Sequence, residues 1–313
     1  MAKSFRVPEE LHRAALDAIV RSAESLSWGR ARTLIERGKV AVDGDVITEI
    51  TKRIGKGSDI TITENAPDPR KAKNTLALDD AIAFQDAHVI VVRKPAGVSS
   101  VPFDEKETGT LDELVRAYLG KRERGNVRPA VGVVHRLDKD TTGLIVFTRS
   151  WLAKQSLSSQ FRFHTVHRKY IAIVHGTMSS TTLRSHIVAD RGDGRRGSTE
   201  RHGQKGNEEG QLAVTHIRAI ERLGDDATLI ECELETGRTH QIRIHLSEVG
   251  HPLVGERVYN KGFQGTELPA PRIMLHAAEL GFVHPKTERE VRFEEPLPRD
   301  MLQRIDELRR RDS

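Results

Sequence analysis

The chain has 313 residues, 37% hydrophobic and 4% aromatic, enough for two or three domains with at least one sizeable core. Its 50 Lys and Arg against 45 Asp and Glu leave a net charge of +5, a weak lean towards a polyanionic partner, while scarce aromatics argue against a binder built on stacking platforms. No apolar run is long enough to span a bilayer, residues 1–6 lack the apolar core of a signal peptide, and the single cysteine, Cys232, allows no internal disulfide, so a cytoplasmic protein is expected.

Residues 1–65 read as a first unit. Leu11 to Val20 has helical spacing, and Ser25-Leu26-Ser27 supplies capping residues for a second helix over about 28–37, with Gly38 at its end. Val40-Ala41-Val42 runs into Asp43-Gly44, a hairpin signal; Ile47 follows, and Ile60-Thr61-Ile62 reads as a short strand. Arg30, Arg32, Arg37 and Lys39 cluster on and just after the second helix, with Lys52, Arg53 and Lys56 nearby. Such a face either tracks a phosphate backbone or is simply solvated. Residues 66–75, with Pro67 and Pro69 among charged neighbours, read as a linker.

The second unit is predicted over 76–300. His88 to Val92 is a buried strand ended by the turn Arg93 to Val98, and Leu111 to Leu119 is an amphipathic helix. Residues 131–134 and Leu144 to Phe147 read as strands flanking a polar loop that holds His135, Arg136, Asp138, Lys139, Asp140, Thr141 and Thr142. Ser150 is placed to cap a helix running to about Phe161, and 168–176 is another strand. Residues 190–210 are Gly-rich and charged, which predicts a mobile loop or hairpin tip. Strands are predicted at 212–222 and 227–235. Thr239 is the candidate cap of a helix ending before Gly250, with Ile242, Leu246 and Val249 as its apolar stripe and Arg243 off it. Residues from about 301 to 313 read as a charged, helical tail. Strands dominate and helices intervene irregularly, so the expected fold class is α+β, with a mixed, largely antiparallel sheet, flanking helices and a small N-terminal α+β domain.

The loop Val133-Val134-His135-Arg136-Leu137-Asp138-Lys139-Asp140-Thr141-Thr142-Gly143-Leu144 resembles the signature of the RluA/RluC/RluD family of RNA pseudouridine synthases. Lys94-Pro95-Ala96-Gly97, Lys169-Tyr170, the run Arg238 to His245, and Arg272-Ile273-Met274-Leu275-His276-Ala277 resemble further segments of the same family. Glu256 stands where the family often has Asp after Gly255, with only a local effect expected. Residues 1–65 are similar to the RNA-binding domain named after ribosomal protein S-four, through Ser27, Ala31, Leu34, Ile35, Gly38, Val40, Val42, Gly44, Val46 and Asp59.

The resemblance implies an isomerase that converts uridine to pseudouridine in RNA, with Asp138 as catalytic nucleophile, Tyr170 packed on the target base and Arg243 paired with Asp138. It also implies RNA contacts from Arg136, a wedge or phosphate ligand, from Arg238, and from Arg30, Arg32, Arg37 and Lys39. The residue types suit the reaction. An ionised carboxylate can attack ribose or ring, or remove a ribose proton; a guanidinium fork aims it; a Tyr supports a flipped base while offering a hydroxyl. The N-terminal unit points to large-subunit (23S) ribosomal RNA or its precursor, with a monomer expected. The alternatives are the same enzyme acting on tRNA, or a non-catalytic ribosome-assembly factor. There are 14 histidines, among them His164, His167, His240 and His245, but no Cys pair, no His-Glu-x-x-His helix and no Gly-rich nucleotide turn, so neither metal nor other cofactor is expected.

Overall fold

The structure is a computed structural model that describes residues 2–64, 78–103, 107–122, 130–192, 194–199, 210–260 and 262–310. The chain divides into two compact units, Met1–Thr75 and Leu76–Ser313.

The first unit runs β1 (Ala2–Arg6), α1 (Leu16–Glu24), α2 (Trp28–Glu36), β2 (Val40–Val42), β3 (Asp45–Val46) and β4 (Asp59–Thr63). Its antiparallel sheet has the order β1-β4-β2-β3. Asp43 and Gly44 both take positive φ, 52° and 91°, the geometry a two-residue hairpin turn requires. The Ser27 hydroxyl accepts the Arg30 N–H and starts α2. The helices bury Leu16, Ile19, Ala31 and Ile35 against Val40, Ile60 and Ile62. The first helix begins at Leu16, not Leu11. The Arg13 N–H bonds the Ile54 carbonyl with Arg13 at a left-handed φ of 59°, and the extended Ala15 bridges Arg53, so the chain is not helical before Leu16. β1 was not legible in the sequence. The expected linker at 66–75 lies outside the described residues.

The second unit comprises α3 (Leu78–Ala81), β5 (Ile82–Gln85), β6 (Val89–Lys94), α4 (Leu111–Arg122), β7 (Gly132–Val133), β8 (Thr142–Thr148), α5 (Trp151–Arg162), β9 (His167–His175), β10 (Thr181–Val188), β11 (Gly197–Ser198), β12 (Gln211–Leu223), β13 (Ala227–Leu234), α6 (Gln241–Glu248), β14 (Leu275–Val283), β15 (Glu290–Glu294) and α7 (Arg299–Arg309). One sheet runs β11-β10-β12-β13-β9-β14-β8-β6-β5, with β15 beside β14 and β7 beside β8. The β8–β14 pair is parallel and the other pairs are antiparallel, so the fold is α+β with a mixed sheet.

Both faces of the sheet centre are covered, which explains the unbroken apolar runs of β6 and β8. Ile90, Val92, Ile145 and Phe147 point to one face with Leu111 and Val115 of α4. Val89, Val91, Leu144 and Val146 point to the other, under Ala153 and Leu157 of α5. Tyr170, Leu137 and Ile242 belong to the first face, and this shared side brings a loop, a strand and a helix to one place. Gly143 sits where β8 meets β14. Its φ is +109°, and a Cβ there would lie 2.2 Å from the Ala277 carbonyl oxygen, so only glycine fits.

Two expectations are refined. The expected helical tail is helix α7 through Arg309, and it is packed: Met301, Ile305 and Leu308 are buried against Ile173, Leu223 and Met274. Within 190–210, Gly197 and Ser198 form an edge strand on β10, and Ser198 is buried because its hydroxyl bonds Ser185 and its N–H bonds Glu248. Residues 193 and 200–209 lie outside the described residues.

Lys169, on β9, reaches Glu231 of β13 at 3.2 Å and Glu279 of β14 at 2.8 Å, and Arg292 of β15 also bonds Glu279. Burial alone would raise the Glu279 carboxyl, but hydrogen bonds from Lys169 and Arg292 outweigh it and hold it at about 2, below its ordinary 4.5. Its contribution to stability is therefore full above pH 4.5 and lost as pH falls through 2. Thermal melts of Glu279→Gln should fall less steeply than wild type across that window; parallel curves would contradict the assignment.

Candidate active site

Asp138 lies in the loop 134–141 between β7 and β8, and the backbone around it is held by buried side chains from three directions. The Ser100 hydroxyl donates to the Leu137 carbonyl at 2.8 Å and accepts the Leu137 N–H at 3.0 Å. The Lys94 ammonium donates to the carbonyls of Lys139 at 2.7 Å, Val98 at 2.7 Å and Pro95 at 3.0 Å. Burial pushes Lys94 down to about 7, against the pull of Asp140 and Asp138, while three carbonyls match the three N–H groups of its charged form. Arg272 extends Nη1 to the Asp140 carbonyl at 3.4 Å and is itself held by Asp300 of α7. His135 anchors the loop from behind. Its Nε2 accepts the Val146 N–H, its ring stacks on Phe161 at 4.4 Å, and burial lowers it to about 3, so it is neutral and structural.

The Asp138 carboxylate, 16% exposed, faces α6, with Arg243 Nη1 at 3.4 Å and His240 Nε2 at 3.8 Å. Arg243 is fixed chiefly by another acid. Its Nε and Nη2 form a two-pronged pair with Glu256, both at 2.8 Å. The N–H groups of Arg257, Val258 and Tyr259 complete the Glu256 shell. Burial alone would lower the Arg243 pKa, but the hydrogen bonds and charge of Glu256, then those of Asp138, hold it above its ordinary value. Burial would likewise raise Glu256, and Arg243 keeps it below the usual carboxylate range. Glu256 thus anchors the guanidinium whose remaining arm meets Asp138.

His240, not Thr239, is the residue before the helix. It takes a left-handed backbone, φ 59°, with no side-chain cap. Gln241 stabilises this entry instead: its Oε1 accepts from Thr236 Oγ1 and the Arg238 N–H, and its Nε2 donates to the Val214 carbonyl and Thr215 Oγ1. The helix is buried all round from Gln241 to Leu246, while Val249, expected in the apolar stripe, is exposed. His240 Nδ1 lies 2.8 Å from the Tyr259 hydroxyl. If that hydroxyl donates, the ring proton sits on Nε2, facing Asp138. Burial lowers the His240 pKa, opposed by Asp138.

Asp138, Tyr170, Arg243, Arg136 and Arg238 all line one cleft of about 60 Å³, with Thr141, His240 and Gln241. Tyr170 is buried on β9, its phenol raised by burial and therefore un-ionised at neutral pH. Arg136 is exposed at the rim, and Arg238 Nε bonds the Leu212 carbonyl. A larger cavity of about 410 Å³ lies behind Glu256, lined by His175, Phe263 and Leu268, away from Asp138. Among the described residues, no cluster of His, Cys, Asp or Glu is arranged to hold a metal ion, and no helix is long and apolar enough to cross a membrane. Four cations of the first unit were also expected to contact RNA: Arg30, Arg32, Arg37 and Lys39. Arg30 pairs with Glu64 and Arg32 with the buried Asp17, while Arg37 is exposed and Lys39 half-buried.

The profile of the RNA pseudouridylate synthase family matches residues 88–248, which include the Asp138 loop, Tyr170 and Arg243. The chain belongs to the RNA pseudouridylate synthase family. The synthase is 37% identical to the uncharacterized RNA pseudouridine synthase YlyB of Bacillus subtilis, over 96% of each chain. It is 38% identical to the ribosomal large subunit pseudouridine synthase D of Zymomonas mobilis, over 93% of this chain and 91% of the relative. Its fold is similar to that of human RNA pseudouridylate synthase domain containing 4, with a TM-score of 0.61 and 23% identity over 74% of this chain and 94% of that one.

Sequence reasoning singled out neither Glu256 nor His240 nor Ser100 as builders of this site. Lys94 and Arg272 did carry a signal, since each sits in a segment that resembles the family. Ser100 carries none, because a lone serine after a turn has no distinguishing context. In the synthase, Glu256→Gln should cost about 3 kcal/mol in urea unfolding, because it leaves a buried guanidinium without its main counter-charge. Unchanged stability would show that Glu256 does not anchor Arg243.

Proposed function

We propose that this synthase isomerises specific uridines of large-subunit (23S) ribosomal RNA, with Asp138 as nucleophile. The observation that carries the reading is the Asp138 carboxylate at the cleft wall, its loop backbone tied on both sides and its charge met by Arg243. The name of the Zymomonas mobilis relative supports the choice of RNA.

In the reaction the bond between ribose C1′ and uracil N1 breaks, the base turns, and a C1′–C5 bond forms. C5 gives up its proton and N1 gains one, so the product is an isomer of the substrate and no co-reactant is consumed. Asp138 supplies the anionic oxygen that the cleavage step needs. Arg243 orients that oxygen, and because Glu256 holds two arms of the fork, little freedom is lost when substrate binds. Tyr170 supports the displaced base with its ring and offers a neutral hydroxyl for proton transfer. A target uridine leaves its stack at a cost of a few kcal/mol, on the order usual for flipped bases. Arg136 at the rim fills the gap or binds phosphate, and Arg238 contacts the strand. The first unit adds affinity through phosphate contacts from Arg30, Arg32, Arg37 and Lys39 in a domain like that of ribosomal protein S-four.

Purified Asp138→Asn should show no turnover while holding RNA within about tenfold of wild-type affinity, since phosphates set most of the affinity. Residual turnover near the wild-type rate would refute the nucleophile assignment. Arg37→Ala leaves the Arg30–Glu64 and Arg32–Asp17 pairs intact. It should weaken RNA binding and reduce the slope of log affinity against log salt by about one. An unaltered slope would remove Arg37 from the RNA face.

A further inference from the structure

We propose that Thr141 is a uracil contact, its hydroxyl donating a hydrogen bond to a carbonyl oxygen of the target base; this rests on the uridine-isomerase reading above. Thr141 follows Asp138 by one turn, its N–H bonded to the Asp138 carbonyl at 3.1 Å. It lines the Asp138 cleft and is 2% exposed, yet its Oγ1 has no hydrogen-bond partner among the described residues. Neighbouring hydroxyls are paired: Thr142 Oγ1 with His276 Nδ1 at 2.8 Å, and Ser100 with the Leu137 backbone. A buried hydroxyl without a partner costs stability that a valine of the same shape would not. Structure alone therefore gives no reason for threonine here, whereas an occupant of the cleft does.

Two other polar side chains on the cleft wall, Gln241 and Arg243, have less capacity to spare. All four hydrogen-bonding positions of the Gln241 amide are filled, and Arg243 is divided between Glu256 and Asp138. Isomerisation requires uracil to make a half-turn about the line through N3 and C6, which exchanges N1 with C5 and O2 with O4. A donor aimed at one carbonyl oxygen therefore meets the other carbonyl oxygen in the same place after the turn. A single hydroxyl can hold the base at the start and at the end of its rotation, next to the carboxylate that acts on it.

The test uses the full chain, an RNA that wild type converts, and single-turnover rates with thermal melts. Thr141→Val should melt no lower than wild type and convert uridine about tenfold more slowly, the usual worth of one hydrogen bond, and Thr141→Ser should restore the rate. Sulfur is a poor acceptor, so 2-thiouridine or 4-thiouridine at the target should slow wild type and slow Thr141→Val by less. A Thr141→Val rate equal to wild type, a lowered melt with the lost rate, or equal slowing of both proteins by both thio-substitutions would overturn the contact. A wild type that converts no uridine in any RNA overturns the isomerase reading itself, and the contact with it.

Discussion

The pinning of Arg243 by Glu256 is the interaction on which the rest of the site depends. A guanidinium on a helix buried all round would otherwise be an uncompensated charge, and breaking such a pair is among the more damaging changes a core can suffer. Glu256 satisfies two of its arms and receives three backbone N–H groups in return, leaving one arm to face Asp138 at 3.4 Å. The carboxylate is thus oriented by a cation that cannot follow it if it moves. The complementary constraint acts on the Asp138 backbone, where Ser100, Lys94 and Arg272 tie down residues 137, 139 and 140. Together they place the acid on a rigid support before any substrate arrives, which is the condition under which electrostatic catalysis costs no reorganisation.

The sheet makes this arrangement possible. β6, β8, β9 and β14 lie side by side, covered on both faces, and the parallel β8–β14 contact is so close that position 143 admits only glycine. That contact fixes where the Asp138 loop enters β8. α7, by burying Met301, Ile305 and Leu308, carries Asp300 to Arg272 and so joins a remote helix to the same loop. The C-terminal helix therefore contributes to the positioning of the site without lining the cleft.

How much of this was legible in the sequence depended on whether the signal was local. β6 was readable because a strand buried on both faces is a continuous apolar run, β9 through its core Tyr170 to Val174, and α2 because Ser27 and Gly38 bracket it. β14 was missed because Leu275 to Val283 mixes alanines, a glutamate and a glycine, whose strand character comes from neighbours rather than from propensity. In α7 the helix was legible, but the apolar spacing 301, 305, 308 lay among charged residues, so its packing against Ile173, Leu223 and Met274 was not. Asp138, Tyr170, Arg243, Arg136 and Arg238 were named in advance through motif resemblance, and the structure gathers them at one cleft. What holds them was not legible. The Glu256–Arg243 pair and the Ser100–Leu137 clamp join residues far apart in sequence, and the entry to α6 rests on the Gln241 amide rather than on the Thr239 cap its sequence advertises.

The central claim is that this chain makes pseudouridine in the large ribosomal subunit through Asp138. The most direct measurement is a map of pseudouridines in ribosomal and transfer RNA from cells lacking the protein, compared with the same cells carrying wild type or Asp138→Asn. The account predicts that specific large-subunit sites disappear and return only with wild type. A map that does not change, or sites restored equally by Asp138→Asn, would contradict it.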